Sequence, residues 1–222
     1  MTDLPYNIYM IALCYSALLS LMGIALTLRH KASGIPDFSI ALYMGLGTYV
    51  AGFSVSLLNL NLYASPLIAF PVGCLAGALY YRFIMRLMER RGDSTILRTL
   101  ATIGIQILGS SLLWIAAYWL DTRTGFTDTL RTYIFYLMQQ YDFVLWDTRG
   151  IYYVIPLVCA VIYIMLFLLL RRPKLRLSLV ASEENPELAI VQGIDPWRLR
   201  LLIWSLSGGV ACVAGSLFPP FL

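Results

Sequence analysis

Charged side chains are scarce in this sequence of 222 residues. Only 13% of the residues are charged and 59% are apolar, whereas a soluble domain carries about 25% charged residues. This composition excludes a water-soluble globule. The 16 basic and 12 acidic residues give a net charge of +4, an excess too small and too scattered for a protein that binds nucleic acid.

Side chains that commonly carry catalysis are also missing. The single histidine, His30, lies between Arg29 and Lys31, where a general base would be solvated, and we interpret it as a surface residue. The interiors of the long apolar segments contain no Asp, Glu, His, Lys or Arg, which argues against an intramembrane enzyme and against a proton-coupled carrier. The sequence also has no G-x-x-x-x-G-K-[ST] phosphate-binding loop, so ATP hydrolysis by that device is excluded.

The cysteines give no sign of a metal or redox centre. The chain has 4 cysteines, each isolated in an apolar run, without a C-x-x-C pair and without a neighbouring histidine. Such residues usually behave as small apolar side chains. No metal and no cofactor are therefore expected.

Long apolar runs dominate what is present. No residue from Leu4 to Leu28 or from Phe38 to Tyr81 is charged, and about 20 residues suffice to span a bilayer. The second run is long enough for two helices, with a turn near Asn59, Asn61 and Pro66. The sequence predicts an all-α, polytopic transmembrane helical bundle as one domain, with six spans at about residues 6–28, 38–58, 65–85, 99–120, 150–170 and 200–218.

The basic residues predict the orientation of the bundle. With the N-terminus outside, all but three of the 16 basic residues lie in inner loops, and only Arg123, Arg131 and Arg149 lie outside. The positive-inside rule selects this topology. Asp3 precedes the first run and no basic residue does, so we interpret this run as a retained helix rather than a secretory signal. The topology makes 121–149 an external loop and 171–199 a cytoplasmic loop.

The cytoplasmic loop contains a signature of one short helix. Asn185 is a suitable N-cap, Pro186 suits the first helical position, Glu187 faces the positive helix end, and Gly193 supplies the C-terminal stop. Asp195 and Pro196 repeat the start signal for the last span. A helix of about two turns is unstable alone in water, so its apolar side chains, Leu188, Ile190, Val191 and Ile194, must pack on something. They lie either in a groove of a partner or against the inner ends of the chain's own helices; periodicity slightly favours the second alternative.

Several segments resemble a known family. The stretch from Ala181 through Gly193-Ile194, then Arg200-Leu201-Leu202, Gly208-Gly209, Ala211 and Ala214-Gly215, is similar to the cytoplasmic loop and following helix of branched-chain amino-acid ABC transporter permeases. Thr99-Leu100-Ala101-Thr102-Ile103-Gly104 is similar to the start of another helix of that family, and Gly34-Ile35-Pro36-Asp37-Phe38 and Gly45-Leu46-Gly47-Thr48-Tyr49 to the region after its first helix.

The resemblance implies a function and partners. It implies a non-enzymatic permease subunit of an ATP-driven importer in the cell (inner or plasma) membrane, which carries branched-chain or other hydrophobic amino acids. The expected partners are ABC ATP-binding subunits, a second permease subunit, identical or homologous, an extracytoplasmic solute-binding protein and the lipid bilayer. In that family the short loop helix docks on the ATP-binding subunit, which favours the partner-groove alternative and assigns coupling to Glu183, Glu184, Asn185, Pro186, Glu187, Leu188, Ala189, Gly193 and Ile194.

Two alternatives remain open. The chain is shorter at its C-terminus than the family's members, which is consistent with a fragment, a split gene or a shortened paralogue that acts as a non-transporting scaffold. The importer also remains open to another small solute, such as urea or an amide.

Polar side chains inside the spans are candidates for the translocation pathway. Thr102, Gln106 and Ser110 follow each other at i, i+4 spacing on one helix face. The amide of Gln106 either pairs with a neighbouring helix or faces a wet cavity. Ser39 and Tyr43 share another face and are weaker candidates for the same wall or for an interfacial position.

Two further patterns concern packing and the outer face. Small residues predict close helix packing: Gly45, Gly47, Gly73, Gly77, Ser207, Gly208, Ala211 and Gly215. Aromatic residues in the external loop predict a lid at the membrane interface or, by resemblance, a surface for a solute-binding protein: Phe126, Tyr133, Phe135, Tyr136, Tyr141, Phe143 and Trp146.

Overall fold

The structure, a computed structural model, consists mainly of apolar helices. It describes residues 4–56, 60–124, 144–145, 148–171, 178, 186–191 and 195–218. The helices in chain order are α1 (Leu4–Ser33), α2 (Ile40–Ser56), α3 (Ser65–Tyr80), α4 (Arg86–Arg91), α5 (Thr95–Thr124), α6 (Ile151–Leu170), α7 (Pro186–Val191) and α8 (Pro196–Leu217). A 3₁₀ turn (Leu62–Ala64) precedes α3, and β1 (Val144–Leu145) pairs antiparallel with β2 (Thr148–Arg149).

The helical bundle predicted from the sequence is confirmed. Five helical segments are long and apolar enough to cross a membrane: Ile8–Ser33, Ser65–Arg91, Thr95–Trp119, Ile151–Leu170 and Pro196–Leu217. The apolar segment Ile40–Val55 within α2 is shorter; α2 has 17 residues, about 25 Å at the usual rise of an α-helix. The count of six spans and the outside position of the N-terminus stay predictions.

The first helix is longer than its predicted span. α1 continues past Leu28 to Ser33 and ends where Gly34 adopts a positive φ of 67°. The Gly34 backbone N–H donates to the carbonyl oxygen of His30 at 2.7 Å, and this conformation favours glycine. The segment around His30 is therefore helical rather than a loop, and the His30 side chain is exposed, as expected.

The helix α3 continues into α4 through one wide turn. Residues Tyr81–Met85 form a π-helical turn, in which the N–H of Arg86 donates to the carbonyl oxygen of Tyr81. Such a turn inserts one residue into an α-helix. Tyr81 and Met85 are buried in it, and Gly92 ends α4 in the left-handed conformation with φ 72°.

The helix α8 lies at the centre of the bundle. It packs most extensively against α3, α2 and α1, and all its residues from Ser207 to Leu217 are buried. A Cβ atom on Gly77 would overlap the carbonyl oxygen of Trp204, and one on Gly215 would overlap that of Met44. The packing predicted from the small residues is therefore confirmed at the contacts of α8 with α2 and α3.

The helices α5 and α6 are peripheral. Among the described elements, α5 packs mainly against α2, and α6 against α1. Both leave large apolar side chains exposed, including Leu108 and Leu112 in α5 and Leu157 and Phe167 in α6. These surfaces suit lipid or another membrane chain.

Candidate functional site

Three of the five predicted pathway residues meet at the start of α2. Ser39 and Tyr43 are buried at 0% and 3% exposure. Thr102 in α5 is also buried, and its hydroxyl accepts a hydrogen bond from the Phe38 backbone N–H at 3.2 Å and donates to the carbonyl oxygen of Thr99 at 2.7 Å. Thr102 thus ties α5 to the residues that begin α2.

The other two predicted pathway residues lie further along α5. Gln106 is half-buried, and its Oε1 atom is buried with no hydrogen-bond partner among the described residues. This oxygen thus makes no bond to a neighbouring helix within the described part of the chain, and both alternatives for the amide stay open. The hydroxyl of Ser110 donates within its own helix, to the carbonyl oxygen of Ile107 at 3.0 Å. A role of either residue in a pathway stays a prediction.

A buried ion pair that we did not predict lies beside Ser39 and Tyr43. Arg29 Nη1 pairs with Asp37 Oδ2, and both side chains are 0% exposed. The topology predicted from the sequence places Arg29 in an inner loop, and this prediction is wrong, because Arg29 is a buried residue of α1. Because α1 extends to Ser33, Arg29 falls on the helix face that also buries Ala25 and Ala32.

Hydrogen bonds surround both charges of the pair. Asp37 Oδ1 accepts from the backbone N–H of Ser39 at 2.9 Å and from its hydroxyl at 2.7 Å. Arg29 Nε donates to Ser207 Oγ in α8 at 2.6 Å. A buried charge is tolerated only when it is paired and hydrogen-bonded, and both conditions are met here.

Aromatic rings complete the enclosure. The guanidinium carbon of Arg29 lies 4.2 Å from the ring centroid of Tyr43 and 4.7 Å from that of Trp204, within the range of cation–π contacts. Trp204 is itself fully buried and donates from Nε1 to Ser33 Oγ at 2.7 Å. It stacks on Tyr80, with centroids 5.2 Å apart.

We call this group the Arg29 cluster; it comprises Arg29, Ser33, Asp37, Ser39, Tyr43, Tyr80, Trp204 and Ser207. It joins the end of α1, the start of α2, α3 and the middle of α8 through polar contacts. Two of its donors, Arg29 Nη2 and the hydroxyl of Tyr80, have no hydrogen-bond partner in the described chain. The ionic charges cancel within the cluster, so it is suited to hold helices in register. Among the described residues, no group of three His, Cys, Asp or Glu side chains is placed to hold a metal ion.

A second polar network lies where α4, α5 and α8 meet. Glu89 accepts from Arg200 Nη1 at 3.2 Å, with Arg98 Nη1 at 3.9 Å, and from the hydroxyl of Tyr81 at 3.1 Å. Arg200 also donates from Nε to the carbonyl oxygen of Ala32 at 3.0 Å. The first turns of α8 are thereby tied to α1, α4 and α5. Arg98 and Arg200 thus lie within helices and connect them.

The short helix predicted between the last two apolar helices is present as α7. It begins at Pro186, as its cap pattern indicated, and ends at Val191. Ala189 is 1% exposed, whereas Ile190 and Val191 are 56% and 84% exposed. The predicted coupling residues Glu183, Glu184, Asn185, Gly193 and Ile194 lie outside the described residues, as do the side chains of Pro186, Glu187 and Leu188.

The start of α8 follows the predicted pattern closely. Asp195 is its N-cap, and Oδ1 accepts from the backbone N–H groups of Trp197 at 3.0 Å and Arg198 at 3.3 Å. Pro196 occupies the first helical position. This start is therefore well fixed.

Comparisons with known proteins agree on one family. Residues 8–222 match the family model described as "Branched-chain amino acid transport system / permease component". The chain is 34% identical over 208 residues to the probable branched-chain amino acid transport permease protein LivH of Methanocaldococcus jannaschii. This match covers 94% of the chain and 64% of that relative, so the chain spans less than two thirds of the relative's length. No solved structure matches the chain.

Proposed function

Because the chain belongs to the family of branched-chain amino acid transport permeases, we propose that it is a membrane-spanning subunit of an ABC importer for branched-chain or other hydrophobic amino acids. The chain is a multi-pass helical membrane protein of that family. In the proposal, ATP is hydrolysed on separate subunits, and a second permease subunit and an extracytoplasmic solute-binding protein complete the importer. The name of the similar protein of Methanocaldococcus jannaschii, a probable branched-chain amino acid transport permease, supports this class of solute.

The observation that carries the proposal is the exposure of α7. A helix of 6 residues is not stable alone, yet Ile190 and Val191 are largely exposed while Ala189 packs on this chain. Exposed apolar side chains beside a buried small residue suit a helix that rests on its own bundle with one face and enters a partner's groove with the other. The partner in this proposal is an ATP-binding subunit, which contacts the segment Glu183 to Ile194.

The contacts of α8 supply the path for the motion. Four residues separate the end of α7 from the start of α8, which is fixed by Asp195 and Pro196. Its Ser207 accepts a hydrogen bond from Arg29, which pairs with Asp37. A displacement of α7 by the ATP-binding subunit is thus transmitted through α8 to the start of α2 and the end of α1. In the proposal, Thr102, Gln106 and Ser110 of α5, with Ser39 and Tyr43, line the path that opens.

The proposal is tested by reconstitution in liposomes with the ATP-binding subunits and solute-binding protein encoded in the same genome. Val191→Glu places a charge on the exposed face of α7, and we expect leucine uptake per ATP hydrolysed to fall at least tenfold. Val191→Ala is the matched control, because it keeps the site apolar, and it retains most of the uptake. Gly193→Pro should uncouple hydrolysis from uptake in the same way.

Two outcomes would contradict the proposal. If Val191→Glu transports leucine as well as the wild type, α7 does not dock on the ATP-binding subunit. If the wild-type chain gives no uptake either as the only permease or together with a homologous permease subunit from the same genome, while it still binds the ATP-binding subunits, the chain is a non-transporting scaffold. Uptake of urea or acetamide instead of leucine would retain the importer and change its solute.

A further inference from the structure

A basic cavity separate from the Arg29 cluster lies between the π-helical turn and the start of α8. Its volume is about 300 Å³, at the small end of the range for ligand pockets. Its lining includes three arginines, Arg82, Arg86 and Arg198, together with Asp195, Trp197 and Leu201. The arginines come from two different helices, so the fold, not a local sequence run, brings them together.

Two of the three arginines have no counter-charge among the residues that the structure describes. Arg198 Nε pairs with Asp195 Oδ2 at 3.0 Å, and Asp195 Oδ1 is occupied by two backbone N–H groups of α8. Both oxygens of the Asp195 carboxylate therefore already have partners and do not neutralise Arg82 or Arg86. Among the described residues, neither Arg82 nor Arg86 takes part in an ion pair, so the cavity carries two uncompensated positive charges.

The side chain of Arg86 is held in position, but one of its hydrogen-bond donors has no partner among the described residues. Its guanidinium carbon lies 5.6 Å from the ring centroid of Trp197, which orients the group over the indole. Its Nε atom is buried without a hydrogen-bond partner in the described chain. A buried donor without a partner is costly, and an anion bound in the cavity would reduce this cost by drawing the guanidinium into hydrogen bonds.

The surroundings of the cavity favour a lipid over a free anion. Leu79 and Phe83 flank Arg82 on the same helix and are 53% and 64% exposed, and Leu202 on α8 is 45% exposed. Apolar side chains exposed beside a basic cavity are suited to acyl chains that leave a bound headgroup. Trp197 at the rim has the amphipathic ring that is enriched at the membrane interface.

We propose that this cavity binds the phosphate headgroup of an anionic phospholipid, with Arg82 and Arg86 as the phosphate ligands and Trp197 supporting Arg86. Guanidinium groups bind phosphate oxygens through paired N–H donors, and basic pockets between transmembrane helices bind anionic headgroups in this way. The site lies beside the first turn of α8, so a bound lipid stabilises the junction between α4 and α8.

The test measures lipid binding to the purified full chain by native mass spectrometry in a neutral detergent. We expect phosphatidylglycerol to bind more tightly than phosphatidylcholine of the same acyl chains. Because each arginine near a lipid surface contributes about 1 kcal/mol, Arg82→Gln and Arg86→Gln should each weaken phosphatidylglycerol binding about fivefold and the double variant roughly thirtyfold. Arg90→Gln is the matched control: Arg90 is exposed one turn further along α4, does not line the cavity, and should leave the affinity unchanged.

Further measurements distinguish a lipid headgroup from free phosphate and show whether each variant is folded. Inorganic phosphate at millimolar concentration should not displace phosphatidylglycerol; if it does, the site is for a free anion. Arg86→Lys retains the charge and should keep part of the affinity, and monodisperse elution of every variant establishes that it is folded. Equal phosphatidylglycerol affinity in the double variant and in Arg90→Gln would overturn the proposal, as would equal binding of phosphatidylglycerol and phosphatidylcholine by the wild type.

Discussion

The central helix α8 and the peripheral helix α5 have similar mean hydropathies, 1.4 and 1.7, but differ in how they pack. Both are long apolar helices. In an apolar stretch of 18 residues from each helix, however, 72% of the stretch is buried in α8 and 11% in α5. α8 contacts its neighbours through glycine, alanine and serine, so backbones touch. α5 presents Leu108, Leu112 and Ile115 outward, each more than 60% exposed.

The difference shows what decides burial in an apolar chain. Hydropathy does not separate a core helix from a peripheral one, because lipid accepts leucine as well as a protein interior does. Small residues and polar contacts distinguish the core helix from the peripheral one. α8 has both, through its glycines and through Ser207 and Arg200, whereas the described part of α5 touches the core mainly by Thr102, Arg98 and its contact with α2.

Among changes that test the packing of α8 against that of α5, removal of the negative charge of Asp37 should reduce stability most. Asp37→Asn leaves the guanidinium of Arg29 buried without its partner, and we expect the free energy of unfolding to fall by about 3–5 kcal/mol. The measurement is denaturation of the purified protein in detergent micelles. Asp93→Asn is the control, because the Asp93 carboxylate pairs with no described residue, and its effect should be small.

A double variant sharpens this prediction. Replacing both charges, Arg29→Met with Asp37→Leu, should be less destabilising than Asp37→Asn alone, since no unpaired charge remains. If Asp37→Asn costs less than about 1 kcal/mol, the pair does not hold α1 and α2 to α8, and the centre of the bundle depends on packing alone.

Addition of one methyl group should have the second largest effect on stability, and this effect should differ between α8 and α5. Gly215→Ala in α8 forces its Cβ against the carbonyl of Met44, and we expect a loss of about 1–3 kcal/mol in the same assay. Gly104→Ala in α5 meets nothing within 4 Å and should raise stability by about 0.5–1 kcal/mol through helix propensity. Similar effects at both positions would mean that α8 is not closely packed.

Removal of one hydroxyl should give the smallest difference. The Thr48 hydroxyl donates across helices to the carbonyl oxygen of Gly215 at 3.0 Å, so Thr48→Val should cost about 0.6 kcal/mol, the average for such bonds in membranes. Ser111 in α5 donates only within its own helix, to Ile107 at 2.8 Å. Ser111→Ala is therefore expected to be neutral, and a larger loss there than at Thr48 would reverse the assignment of core and periphery.

The helices were predictable because their signals are local. Uncharged runs marked the apolar helices, and cap residues marked the starts of α7 and α8 at Pro186 and Pro196. Where the prediction of a boundary failed, at the end of α1, the charged residues Arg29 to Lys31 were interpreted as a loop. Charge alone does not end a helix, and the stop is Gly34 with its positive φ.

The Arg29 cluster was not predictable in the same way. Ser39 and Tyr43 were identified as polar positions, but Arg29, which lies over the Tyr43 ring, comes from α1 and its partner Ser207 comes from α8. No local pattern joins Arg29 to Ser207. One signal was present: Arg29 and Asp37 have opposite charges on the two sides of the Gly34–Pro36 turn, between two apolar helices. This signal was not used, because Arg29 served only to predict the orientation of the bundle. The cavity around Arg86 likewise depends on a contact between distant helices.

The π-helical turn at Tyr81–Met85 makes the spacing of residues as important as their identity. The turn holds one residue more than an α-helical turn, so a deletion of one residue there would restore an ordinary α-helical turn and leave Arg86–Arg91 facing as they do. A deletion after the turn, between Arg86 and Glu89, would instead rotate the following residues by about 100°, and Glu89 would leave both Tyr81 and Arg200. An aligned homologue with a gap inside Tyr81–Met85 should therefore keep the cavity and the contacts of Glu89 with α8, whereas one with a gap after Arg86 should lose those contacts.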